Sequence, residues 1–193
     1  MDAIIHLAAC ADDADFVSRL VPANVIGVYH MLEAARLEGV GRVILASSCQ
    51  AADLVGRRRK VTVEDRFPTD HYGLTKLWAE DIGKMYSWRY DLSILAVRLG
   101  WVVRSEAEME QMISTPGGNQ LFLSHHDLKE FFCRCLQADA APFAVVYALS
   151  KQIAGAGEVF DMAPSRELIA FEPQDVFPGG LDRNMFRTGS NPD

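Results

Sequence analysis

Three short apolar runs, separated by stretches of helical periodicity, decide most of what this chain can fold into. Ala3-Ile4-Ile5-His6-Leu7-Ala8-Ala9, Arg42-Val43-Ile44-Leu45-Ala46 and the segment from Leu92 to Leu99 are too short for buried helices. They are rich in Ile, Val and Leu, as strands covered on both faces are. Between the first two, Val21 to Arg36 places Val25, Val28, Tyr29, Leu32 and Ala35 at helical intervals, and Gly39 follows as a stop. Tyr72 to Tyr90 reads as a long amphipathic helix with Leu77, Ile82, Met85 and Tyr86 toward the core, and Trp78 and Trp88 in its core or interface. The segment from Gln50 to Asp70, with Arg57-Arg58-Arg59-Lys60 in it, reads as a polar, solvated loop. Strand, helix and strand in alternation predict an α/β fold, a doubly wound parallel sheet with helices on both faces.

After Gly100 the pattern loosens. Glu106 to Gly118 is polar and carries little strand signal, Ser124 to Gln137 reads as a helix with Ser124 as N-cap, and Pro142 to Leu149 reads as a strand. The predicted organisation is a sheet-forming domain over residues 1–103, a small irregular C-terminal lobe over 104–180 and a frayed tail over 181–193. No internal repeat or low-complexity tract is visible. A length of 193 residues suits one domain with a small lobe, and 49% hydrophobic with 23% charged residues is ordinary globular composition.

The formal charge of −7 argues against a nucleic-acid surface, which needs clustered positive charge. Arg98 interrupts the best apolar run, so no membrane span of about 20 residues is predicted. Asp2 stands where a signal peptide would be basic, and four cysteines in a chain this long suit a reducing, cytoplasmic setting. No metal site is expected. Cys133 and Cys135 point to different faces of one helix, and His125-His126-Asp127 has no third ligand at helical spacing.

The chemistry concentrates at Tyr72-Gly73-Leu74-Thr75-Lys76. A spacing of four puts phenol and amine on one helix face, and an ammonium beside a phenol favours the phenolate. Such a pair can exchange protons nearer neutral pH. Alone, a Tyr and a Lys four apart are commonly a solvated helix pair. Ser48 supplies the support, because it ends the second strand, where open α/β sheets place their ligands.

These stretches, with Asn24-Val25-Ile26-Gly27, Leu32 to Arg36 and Val97-Arg98-Leu99-Gly100, resemble the extended short-chain dehydrogenase/reductases, the NAD-dependent epimerase/dehydratase family. Leu123 to Leu128, Val145 to Ser150 and Phe171 to Asp175 are similar to its bacterial uronate dehydrogenase branch. The resemblance implies a partial Rossmann-type sheet, an NAD cofactor with NADP not excluded, and oxidation or reduction of a sugar or sugar-acid-like hydroxyl. It implies catalytic Tyr72, Lys76 and Ser48. It also implies cofactor contacts from Leu7, Ala8, Ala9, Asn24, Tyr72, Lys76 and Leu99, and substrate contacts from Ser48, Cys49, Gln50 and Trp101. A homodimer through the two long helices is implied as well.

Three departures stand out. The family's opening strand, glycine-rich turn and helix have no counterpart here, so the first strand is expected to be an apolar open edge. A catalytically silent remnant, acting only in binding or oligomerisation, is therefore the alternative reading. The Asn-His that follows the serine in the uronate branch is replaced by Cys49-Gln50, and Glu108 to Thr115 is acidic where that branch carries an arginine suited to a carboxylate.

Overall fold

The computed structural model describes residues 2–11, 14–52, 59–139, 141–152 and 159–186. Four strands, β1 (Ala3–His6), β2 (Arg42–Ser48), β3 (Ser93–Leu99) and β4 (Phe143–Ala148), form one parallel sheet in the order β1-β2-β3-β4. Helices α1 (Gly27–Leu37) and α2 (His71–Tyr90) return the chain between the first three strands. α3 (Glu106–Ser114) and α4 (His125–Gln137) precede β4, and α5 (Ala163–Ile169) follows it.

Side chains alternate across β2 as a doubly covered strand requires. Val43 and Leu45 pack with Val28, Leu32 and Ala35 of α1 and Ala79 and Tyr86 of α2. Ile44 faces the other way, into a larger cluster with Leu95, Val97, Phe131, Cys135, Val146, Phe160 and Phe171. The predicted parallel sheet with helices on both faces is the observed one.

Several boundaries differ, each for a physical reason. β1 ends at His6 rather than Ala9, because the backbone of Cys10 is held instead by the Asn24 side chain. The first helix begins at Phe16, well before Val21, as a π-helical stretch, Phe16–Ile26, that accommodates Pro22 and runs into α1. Asp15 caps it by accepting from the Ser18 amide at 2.8 Å. The polar segment after Glu106 is a helix. Ser105 caps α3 by accepting from the Glu108 amide, acidic residues occupy its first turn, and Met112 alone on it is fully buried.

On α2 the small residues Ala79 and Gly83 meet the sheet, so Met85 is exposed and Trp88 is 84% exposed rather than packed. Ser124 caps α4 as predicted, at 2.9 Å from the Asp127 amide. Within the expected tail, Leu181 and Phe186 pack against the Val103, Met112 and Phe122 cluster, so this part is built into the lobe; 187–193 lie outside the described residues.

Candidate active site

The site forms where β2 ends and α2 begins. Asp70 starts α2 by accepting from the Gly73 amide at 2.5 Å. Gly73 itself is required, because a Cβ there would overlap the backbone carbonyl of Gln50, two residues beyond Ser48. On the other side of Ser48, the Lys76 ammonium donates to the Ala46 carbonyl at 3.1 Å. The first turn of α2 thus touches the chain immediately before and after Ser48. Ser48 is nearly buried, and its hydroxyl accepts from the Gln50 amide at 3.2 Å.

Lys76 Nζ lies 5.5 Å from the centroid of the Tyr72 ring, on the same helix face. Burial pushes the Lys76 amine down to about 8, so it is charged at neutral pH and loses that charge a little above it. Its hydrogen bond to Ala46 leaves two N–H donors for a ligand. His6 at the end of β1 is half-buried; burial first, and the Lys76 charge second, hold its imidazole below the usual histidine range.

Asn24 links β1 to α2. It accepts from the Cys10 amide at 2.8 Å, and donates to the Cys10 carbonyl at 3.0 Å and to Thr75 Oγ1 at 3.1 Å. Thr75 donates in turn to the Tyr72 carbonyl at 2.7 Å. Beyond β1, Leu7, Ala8 and Ala9 are exposed, and a cavity of about 570 Å³ opens beside them, lined by His6, Ala8, Ala9, Cys10, Arg19 and Gly27 among others. The cavity lies on the His6 side of the site and is not lined by Ser48 or Tyr72.

Other residues singled out in the sequence sit differently. Cys49 is buried in the core with its sulfur 3.7 Å from the Arg98 carbonyl, and burial pushes its thiol up to about 12. It is a packed side chain and offers a substrate nothing. Gln50 is exposed. Leu99 is in register with Ser48 and packs on the main core. Trp101 is partly buried against the Val103, Met112 and Phe122 cluster.

Cys133 is exposed and Cys135 buried, on different faces of α4. The third partner for His126 and Asp127 does exist, as Asp175 from beyond α5. Its oxygen and those of Asp127 already accept from Ser124, Ser150, Gln174 and Asp175 itself, so the cluster reads as a lobe fastening. Arg57 and Arg58 lie outside the described residues. Arg59 is paired with Asp65, and Lys60 with Asp161 at 3.3 Å.

Sequence reasoning missed the polar layer beneath the site. Arg98 and Glu80 are 0% and 1% exposed and joined by two hydrogen bonds, 2.8 and 2.9 Å long. Ser47 donates to Glu80 at 2.6 Å, and Arg98 reaches Tyr147 and the Asp65 carbonyl. The signal was available, since an arginine inside a buried strand must find a buried partner.

A family profile described as "NAD dependent epimerase/dehydratase family" matches residues 1–114. The chain is 32% identical over 151 residues to a uronate dehydrogenase of Pseudomonas syringae pv. tomato, covering 78% of this chain and 52% of that protein. It is 27% identical over 124 residues to an L-arabinose 1-dehydrogenase (NAD(P)(+)) of Haloferax volcanii, covering 58% of this chain and 49% of the relative. Among solved structures, a glucuronic acid dehydrogenase from Chromohalobacter salexigens superposes with a TM-score of 0.76 at 27% identity, covering 92% of this chain and 62% of that one. The chain thus spans about half the length of the curated relatives it matches. With its parallel sheet, its Tyr72–Lys76 pair and the matched profile, the chain belongs to the NAD-dependent epimerase/dehydratase family.

Proposed function

We propose that this chain carries the proton-transfer and nicotinamide-facing part of an NAD(P)-dependent oxidoreductase that acts on a hydroxyl of a sugar or sugar acid. One observation carries the reading: Lys76 is buried, with its ammonium 5.5 Å from the Tyr72 ring centroid and bound to the Ala46 carbonyl two residues before Ser48. When bound, the nicotinamide supplies the hydride acceptor or donor. Tyr72 takes the proton of the substrate hydroxyl, or returns it in the reverse direction. The Lys76 ammonium favours the phenolate, and Ser48 steadies the reacting oxygen.

The residues present fit the ribose end of such a cofactor. Lys76 has two spare donors, and the small exposed Ala8 and Ala9 form a wall that Asn24 fixes in place through Cys10. The departures in the lobe bear on the substrate. Glu106 pairs with Arg183 at 2.6 Å, and Arg104 is held by Glu108 at 2.8 Å, so both of these guanidiniums are already matched by carboxylates. A neutral sugar fits this region with less electrostatic cost than a uronate does.

Titration of the purified chain with NAD and with NADP, read by thermal protection, tests the assignment. Protection that rises with cofactor and is lost in Lys76→Met supports it. Unchanged melting up to millimolar cofactor favours the silent module instead. Following reduced cofactor with glucuronate, L-arabinose and glucose then ranks the substrates.

Exposed Tyr29 and Leu37 on α1, with Met85, Trp88 and Tyr90 on α2, support a homodimer through these helices, measurable by gel filtration at micromolar concentration. All four cysteines are free, which suits a cytoplasmic setting. No helix among the described residues is long and apolar enough to cross a membrane.

A further inference from the structure

Ser47, Arg98 and Tyr147 are register partners across β2, β3 and β4, so their side chains stand in one row on one face of the sheet. Glu80 of α2 sits over that row. One of its oxygens accepts from Ser47 at 2.6 Å and from Arg98 Nε at 2.8 Å, the other from Arg98 Nη2 at 2.9 Å. Arg98 Nη1 spans the Asp65 carbonyl and the Tyr147 hydroxyl, both at 2.9 Å, and Tyr147 donates to the Thr62 carbonyl at 3.1 Å. Five structural pieces (α2, three strands and the loop around Thr62 and Asp65) therefore meet at one solvent-free ion pair.

Such a pair is a poor source of stability, because desolvation offsets most of its attraction. What it does supply is geometry. Glu80 follows Lys76 by one helical turn, and Ser47 lies between Ala46, which holds the Lys76 ammonium, and Ser48. Fixing Glu80 to Ser47 fixes the height of α2 above the end of β2. That height determines whether Lys76 reaches Ala46 and how much water reaches Lys76.

We propose that Glu80, Arg98 and Ser47 are positioning residues for Lys76: the row clamps α2 to β2 so that the amine is held, dry, between Tyr72 and the end of the strand. This rests on the proton-transfer role given to Tyr72 and Lys76 above, but it concerns the free chain and is testable without cofactor. Among the described residues, the charged or titratable groups facing Lys76 are His6 from β1 and Tyr72 from its own helix.

The test uses substitutions that keep every charge. Ser47→Ala removes the tie between β2 and Glu80. Ser87→Ala removes a comparable tie at the far end of α2, where Ser87 donates to the Pro142 carbonyl at 2.5 Å, and is the control for stability alone. The Lys76 amine is titrated by NMR in each protein. In Ser47→Ala its midpoint should rise by roughly half a pH unit or more, because a looser helix admits water. Ser87→Ala should leave that midpoint in place while lowering the melting temperature, and Ser47→Thr, which restores a hydroxyl, should return the wild-type value. An unmoved Lys76 in a folded Ser47→Ala, or an equal shift in Ser87→Ala, overturns the proposal and leaves the proton-transfer reading standing. A wild-type Lys76 that titrates like any surface lysine defeats that reading instead. Should Ser47→Ala fail to fold, Tyr147→Phe, which loosens the row from the loop side, gives the same comparison.

Discussion

The sheet half and the C-terminal lobe each bury a carboxylate, and they compensate for it in opposite ways. Glu80 of α2 is matched by a full opposite charge, with Arg98 drawn from β3. Asp127, fully buried at the start of α4, meets no buried cation among the described residues. It accepts from the Gln174 amide at 2.9 Å, the Asp175 amide at 3.1 Å and the Ser150 hydroxyl at 2.6 Å. A guanidinium reaches across strands and ties distant elements together, whereas backbone amides fasten one passing segment. The first device sits under the site, where several elements must agree. The second stitches the lobe's end onto α4, where only attachment is needed.

That contrast is breakable, and the largest effect falls on the sheet half. Arg98→Met should cost about 3–5 kcal/mol in urea unfolding, because it leaves Glu80 buried and unpaired. Combining it with Glu80→Leu should recover most of the loss. A double variant as unstable as the single would mean that the pair's own attraction, and not the stranded charge, dominates. Asp127→Ala should cost about 2–4 kcal/mol, since it strands two backbone amides and a hydroxyl. Hydrogen exchange should then accelerate around Gln174 and Asp175 while the amides of β2 and β3 keep their protection.

Lys76 sharpens the comparison through pH. Its amine titrates near 8 when folded and near 10.5 when unfolded, so the unfolded chain binds more protons between those values and stability contributed at this site rises with pH there. Relative to wild type, Lys76→Met should therefore gain on the order of 2–3 kcal/mol at pH 7, with the gain shrinking steadily from pH 8 to 10. A gap that does not change with pH would show that the amine is hydrated. Smallest of the four, Asn24→Ala should cost about 1–2 kcal/mol, as the Cys10 amide and Thr75 hydroxyl lose their partner. It should also weaken thermal protection by NAD more than it lowers the melting temperature.

Strand and helix identity in the first hundred residues was legible because period and run length are local properties: the unbroken apolar run Val43 to Ala46 already signals a strand covered on both faces, as Val43 and Ile44 in opposite clusters show. The placement of Tyr72 and Lys76 on one helix face, and of Ser48 at a strand end, was legible from spacing alone. The helix α3 was hidden because it has a capping serine and acidic first turn but only Met112 to bury. The Glu80–Arg98 layer was hidden for a different reason. Its members are scattered over Ser47, Glu80, Arg98 and Tyr147, and only the strand register brings them into line. The direction of the Cys49 side chain was not legible, because adjacency to Ser48 says nothing about which way a side chain turns after a strand ends.

The bare backbone at residue 73 has a consequence for how this molecule could be silenced. A single methyl group there would act as a wedge against the Gln50 carbonyl, which belongs to the main chain and cannot swing aside. The opening turn of α2 would have to lift, and because Tyr72 and Lys76 ride on that turn, both would withdraw from Ser48 in one movement. Gly73→Ala should therefore leave a protein that keeps its sheet and its shape but whose working corner has come apart.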